Sequence, residues 1–169
     1  FGAGQAPGET PAIGNGRAVS VLFAREGAKI LCVDRHLDSA EETADVIRGE
    51  GSEAHAVAAD VTDEDQVKAA VDSCVEHWGR IDILHNNVGI SVEGGDAPVT
   101  EITTEAFDKI VAVNLRSMVY ACKHTIPVMR QQKSGSIVSI SSMAAWEDYP
   151  WVSYKATKSA MIALTQQFA

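Results

Sequence analysis

Short apolar runs alternate along this chain with stretches whose apolar positions recur at helical spacing, the pattern of parallel strands wrapped by helices. Lys29–Asp34 reads as a strand, reached from a helix over Arg17–Glu26 through Gly27. His55–Ala59, Ile81–His85 and Ser136–Ile140 read as three more strands. Helices are predicted over Ser39–Glu50 and Glu64–Trp78, the second opened by Thr62 with Asp65 three residues on, a variant of the capping box. A longer helical stretch covers Thr104 to about Gln132, with a break placed near Asn114. A last helix contains Tyr154 and continues to Ala169, and Gly94-Gly95-Asp96-Ala97-Pro98 reads as a loop. The fold class expected is α/β, and with no internal repeat or low-complexity tract, residues 1–169 read as one domain.

Composition narrows the function classes. A hydrophobic content of 46% is ordinary for a globular protein. The formal net charge of −9 argues against nucleic acid or an anionic membrane surface as a partner, since both want a basic face. Cys32, Cys74 and Cys122 are far apart and form no C-x-x-C pair, so free thiols, with Cys32 and Cys122 buried, are expected. That usage favours a reducing, cytoplasmic compartment. The five histidines show no close metal-ligand spacing, so no metal site is expected.

Candidate chemistry begins with Tyr154-Lys155-Ala156-Thr157-Lys158. On a helix, residues four apart share one face, so Tyr154 and Lys158 sit about one turn apart. A positive charge there favours the phenolate, and a tyrosine so tuned can exchange a proton with a substrate oxygen near neutral pH. The spacing also arises by chance; the plain alternative for Lys158 is a surface lysine, the reading given to Lys155. Upstream lie Gly2-Ala3-Gly4, Gly14-Asn15-Gly16 before the first helix, and Asp34 at the end of an apolar strand, 18 residues after Gly16. Glycines at a strand-to-helix turn suit a pyrophosphate, and an acid at that distance suits an adenosine ribose. Asp60-Val61, Asn86-Asn87-Val88-Gly89, Asn114 and Ser139-Ile140-Ser141-Ser142 follow in order.

That order and spacing resemble the short-chain dehydrogenase/reductase family over nearly the whole chain. The resemblance implies a doubly wound Rossmann fold, three layers α/β/α, and hydride transfer between NAD(H) and a secondary alcohol or ketone. It assigns Tyr154 as acid/base, Lys158 as its tuner and a nicotinamide-ribose ligand, Ser142 as polariser of the substrate oxygen, and Asn114 as holder of a water in a proton path. Ser141 is the alternative to Ser142, which lies 12 residues before Tyr154, one fewer than the family spacing. Gly2, Gly4, Gly14, Gly16, Asp34, Asp60, Val61, Asn87 and Gly89 would bind the cofactor. For Asp60 the alternative is turn or helix capping; for Asn114 it is a helix-kink or capping residue. The carboxylate of Asp34 favours NAD over NADP, tempered by Arg35. The glycine loop departs from the family pattern: Gly2 and Gly14 are 12 apart where four is usual, and Pro7, Gly8 and Pro11 fall between. No strand precedes Gly2, and the chain ends within the Tyr154 helix, so it reads as a fragment incomplete at both ends. The intact protein is expected to form a homodimer or homotetramer. Rival readings are a cofactor binder without turnover, and a lyase or isomerase on the same fold.

Overall fold

Two units divide the chain, Phe1–Ile81 and Asp82–Ala169, and the computed structural model describes residues 1–4 and 13–169. The extra residues of the glycine loop, Pro7, Gly8 and Pro11 among them, lie outside the described residues.

In the first unit the order is α1 (Asn15–Arg25), β1 (Ile30–Asp34), α2 (Leu37–Gly49), β2 (Ala54–Ala58) and α3 (Glu64–Trp78). β1 and β2 pair in parallel, Ile30 opposite Ala54 and Asp34 opposite Ala58, as a strand–helix–strand crossover requires. The core is built mainly of small residues. Ala24, Cys32, Ala40, Ala44, Ile47 and Ala54 are buried together, so α2 can lie close against the strands. Ile47 has no exposed surface, and burial of such a side chain contributes roughly 1.5–3 kcal/mol. The first residues run beside β1: Gly2 and Ala3 N–H both donate to Val33 O, at 2.8 and 3.1 Å, and Phe1 packs on the Val33, Ala59 and Ala70 cluster.

In the second unit, β3 (Ile83–Asn86) and β4 (Ser136–Ser139) pair in parallel, Asn86 opposite Ser139. Between them run a 3₁₀ turn at Val92–Gly94, α4 (Thr104–Val111), a π-helical segment at Ala112–Arg116, and α5 (Ser117–Gln132). A second 3₁₀ turn, Met143–Ala145, precedes α6 (Val152–Phe168). The helical stretch does not break at Asn114; it widens by one π turn and continues. Elsewhere the helices and strands lie within a residue or two of the spans that hydrophobic periodicity predicts. Among the described residues no helix is long and apolar enough to cross a membrane. None of the three cysteines forms a disulfide, and burial pushes the Cys32 thiol up to about 11.

One local expectation is corrected. α3 is capped by Asp63, not Thr62: Asp63 Oδ1 accepts from Asp65 N at 3.0 Å and from Gln66 N at 3.2 Å, and Gln66 Nε2 donates to Asp63 Oδ2 at 2.9 Å. Thr62 instead gives its N–H and hydroxyl to Asp60 Oδ1, at 2.8 and 2.7 Å. A carboxylate at the cap satisfies the orphan amides better than a hydroxyl because its charge also meets the positive helix end. Asp63→Ala should cost about 1 kcal/mol, a fall in Tm of about 2–4 °C for a chain of this size. Thr62→Val should cost less than half of that, measured by thermal unfolding followed by circular dichroism; the reverse ranking would return the cap to Thr62.

Candidate active site

The second unit brings together several of the residues singled out in the sequence. A cleft of about 420 Å³ is lined by Gly89, Ser91, Ser142, Tyr149 and Tyr154, with Ile90, Glu93, Met143, Ala144 and Glu147 completing its wall. Lys158 lies one helical turn beyond Tyr154, 2% exposed, its Nζ 5.6 Å from the Tyr154 ring centre. The ammonium donates to Ile140 O at 2.6 Å. Among the described residues no carboxylate is bonded to it, and burial lowers its pKa to about 8. Lys158 is therefore no surface lysine.

Gly89 explains how that ammonium is housed. A Cβ at Gly89 would stand 3.1 Å from Lys158 Nζ and 3.7 Å from Asn114 Oδ1. The glycine is where the loop after β3 passes over the buried lysine, a close approach that a side chain would obstruct. Asn114, 1% exposed in the π segment, clamps the same loop: Ile90 N donates to its Oδ1 at 2.8 Å and its Nδ2 donates to Ile90 O at 2.9 Å. Nδ2 also donates to Thr157 Oγ1 on α6 at 3.2 Å. Two helices and a loop thus share one amide. Asn86 braces the strands, its Nδ2 donating to Ser139 Oγ at 3.2 Å.

The two candidate serines part company. Ser141 Oγ donates to Lys158 O at 2.8 Å and is spent on the helix. Ser142 lines the cleft, and its oxygen accepts from Ala144 N at 3.2 Å, which leaves the hydroxyl proton for another acceptor. Lys155 departs from its reading as an ordinary surface lysine. It is half-buried and its ammonium donates to Ala144 O at 3.1 Å and to Glu147 O, pinning the loop between Ser142 and Tyr154. Of the aromatic residues in that loop, Tyr149 faces the cleft and lies 5.6 Å from the Tyr154 ring, while Trp146 is 78% exposed.

Sequence reasoning missed Asp96. This buried carboxylate accepts from Ser153 N at 3.0 Å and from Tyr154 N at 2.8 Å. α6 starts on Trp151, which offers no side-chain cap. A legible signal did exist: a helix opening without Ser, Thr, Asp or Asn must satisfy its first amides from elsewhere.

In the first unit, Gly4 N donates to Asp34 Oδ2 at 3.2 Å and His36 N to Oδ1 at 3.1 Å. A carboxylate has about four acceptor sites, so Asp34 keeps capacity for a ribose hydroxyl. A Cβ on Gly4 would stand 2.7 Å from Asp34 Oδ2 and 2.5 Å from Ser39 Oγ, so any side chain there would push the acid or the Ser39 hydroxyl aside. α1 opens on Gly14 with no side-chain cap and no acid in its first turn, and Gly16 is buried within it, an arrangement suited to a phosphate. These features fit an adenosine dinucleotide. Arg35 Nε donates to His36 Nε2 at 2.9 Å. Asp60 sits in the exposed turn that leads to α3, holding Thr62 as described, and Val61 is half-buried beside it.

Comparison with known proteins places the chain in a family. The family model described as short chain dehydrogenase matches residues 11–169. An uncharacterised oxidoreductase of Bacillus subtilis is 40% identical over 159 residues, which cover 94% of this chain and 57% of that protein. A solved structure from Burkholderia xenovorans, described as of the short-chain dehydrogenase/reductase kind, superposes with a TM-score of 0.89 at 36% identity, over 99% of this chain and 65% of that one. A 7α-hydroxysteroid dehydrogenase solved with NADH and 7-oxo glycochenodeoxycholic acid superposes at 0.82 with 30% identity, over 88% of this chain and 57% of that one. The chain thus spans somewhat more than half the length of such relatives. These likenesses give it the doubly wound α/β Rossmann fold, and a chain matched from residue 11 to its last residue belongs to the short-chain dehydrogenase family.

Proposed function

We propose that this chain carries the cofactor- and proton-handling residues of an NAD(H)-dependent oxidoreductase that interconverts a secondary alcohol and a ketone. The observation that carries this reading is the grouping of Tyr154 and Ser142 on one cleft, with the Lys158 ammonium buried one turn away. The dehydrogenases among the relatives support it.

In this reading, the bound dinucleotide supplies or accepts the hydride. Gly2, Gly4, Gly14, Gly16 and Asp34, with Asp60 and Val61, hold its adenosine and phosphate end; Asn87, Gly89, Tyr154 and Lys158 hold its nicotinamide end. NAD is preferred over NADP because the Asp34 carboxylate accepts from a 2′-hydroxyl and repels a 2′-phosphate. The Tyr154 hydroxyl exchanges a proton with the substrate oxygen. Ser142 donates to the same oxygen and stabilises charge as it develops there. Lys158 spends one N–H on Ile140 O and has two left for ribose hydroxyls. Asn114 has given both amide protons away, to Ile90 and Thr157, so a relay water would bond through the remaining lone pair of Oδ1. The whole protein acts as a homodimer or homotetramer in the cytoplasm; Phe107 of α4 and Val119 of α5 are exposed apolar side chains available for such packing.

Two outcomes test the reading. Tyr154→Phe should lower kcat about 10²–10⁴-fold, the usual contribution of a general acid/base, in NAD⁺ reduction assays over a panel of secondary alcohols, while NADH binding persists. A variant that keeps more than about a tenth of wild-type turnover would contradict the role given to Tyr154.

The second concerns Lys158. Its pKa is about 8 in the folded chain against an ordinary 10.5, so between these values the unfolded chain binds more protons than the folded one. Stability therefore rises with pH across that window, by about 1.4 kcal/mol per unit from this residue alone. Urea unfolding of wild type and Lys158→Met from pH 7.5 to 10.5 should show that increment in the wild type and its loss in the variant. Parallel pH curves would mean that burial does not lower the Lys158 pKa.

A further inference from the structure

We propose that Asp96 is a positioning residue of this site, resting on the assignment of Tyr154 as the acid/base: its carboxylate fixes the first turn of α6, and so the place of the Tyr154 hydroxyl in the cleft. Three features carry the inference. First, the tether reaches across the sequence. Asp96 is 57 and 58 residues from the amides it binds, accepting from Ser153 N through Oδ1 at 3.0 Å and from Tyr154 N through Oδ2 at 2.8 Å. Val152 N donates to the neighbouring Ala97 O at 3.2 Å, so the first three amides of the helix are all held by the Asp96–Ala97 pair.

Second, the carboxylate is 6% exposed, and four donors meet it. Besides the two helix amides, Ala97 N donates to Oδ1 at 3.2 Å and Ser91 Oγ to Oδ2 at 3.4 Å. Charge-assisted bonds to backbone amides are stronger than neutral ones, and the positive end of α6 favours an anion at that place. An ordinary cap would come from Trp151, which cannot supply it. The backbone around Asp96 is shaped for the purpose: Gly95 has φ of 90°, a left-handed conformation that a side chain disfavours, and it turns the chain so that the next residue faces α6.

Third, the same carboxylate reaches the cleft wall. Ser91 and Tyr149 both line the cleft, and their hydroxyl oxygens lie 3.5 Å apart. Because Ser91 donates to Asp96, its oxygen is left as an acceptor toward the cleft. One carboxylate thus sets both the helix that bears Tyr154 and a hydroxyl on the facing wall.

The test compares Asp96→Asn and Asp96→Ala with wild type in the intact protein. Asparagine keeps the volume but replaces one acceptor by an NH₂ that would meet a helix amide head-on. Backbone exchange, followed by deuterium uptake of peptides covering 150–158, should rise about tenfold in both variants. NAD⁺ reduction by cyclohexanol and related cyclic alcohols should lose about 10²-fold in kcat, with KM for NAD⁺ within about threefold, because a displaced proton donor slows chemistry more than it weakens binding. Unchanged exchange in 150–158 would overturn the tether. Faster exchange with unchanged kcat would overturn the positioning role and leave a structural cap. A parallel loss in KM and Tm with no selective fall in kcat would also overturn it. Wild type that turns over none of the alcohols, yet shows the exchange difference, would contradict the proposed function and the catalytic consequence of the tether with it, while the tether itself stands.

Discussion

The amide of Asn114 is the constraint on which the second unit depends. It is buried, and it pairs with both backbone groups of Ile90 and with Thr157. Loop, π segment and α6 are therefore set by one side chain. Leaving any of these buried groups without a partner would cost about 1–3 kcal/mol, so the three elements are fixed together or not at all. The π turn makes this possible. Widening the helix at Ala112–Arg116 brings a residue inward that regular α geometry would point elsewhere, and such bulges are frequent at functional sites.

The electrostatics of the unit follow from that packing. The Lys158 ammonium is held by the Ile140 carbonyl, its pKa lowered by burial. A buried ionisable group with a strongly shifted pKa, lying beside a cleft, is a candidate functional group. Gly89 leaves room for it, Asn114 holds the covering loop, and Asp96 holds the first turn of the same helix. Negative charge meets α6 at its first turn and positive charge emerges one turn after Tyr154, so the tyrosine is held between two fixed charges on a rigid element.

How much of this was readable from the residues depends on the range of the interaction. Strands and helices were legible because periodicity is a local property: Lys29–Asp34 and Glu64–Trp78 announced themselves. The Tyr154–Lys158 pair was legible for the same reason, since four residues along a helix is a fixed distance. Asp63 as the cap of α3 was missed because Thr62 stands one residue earlier with an equally plausible side chain, and only backbone dihedrals separate them. Lys155 looked like a solvated charge but binds two loop carbonyls, which no pattern foretells. Asp96 was hidden in a loop distant in sequence from the helix it caps. Ser141 and Ser142 differ in which hydroxyl donates to Lys158 O, a matter of side-chain direction that spacing does not give. For Asn114 the sequence context pointed to a special residue but not to its partner, Ile90.

The most direct test of the account is a titration of the intact protein with NADH and NADPH, read by energy transfer from tryptophan to the reduced nicotinamide. Saturable binding of NADH, with NADPH at least about tenfold weaker, is the result that the proposed role of Asp34 as acceptor of a free ribose hydroxyl predicts. Failure to bind either dinucleotide would contradict the cofactor assignment on which the proposed chemistry stands.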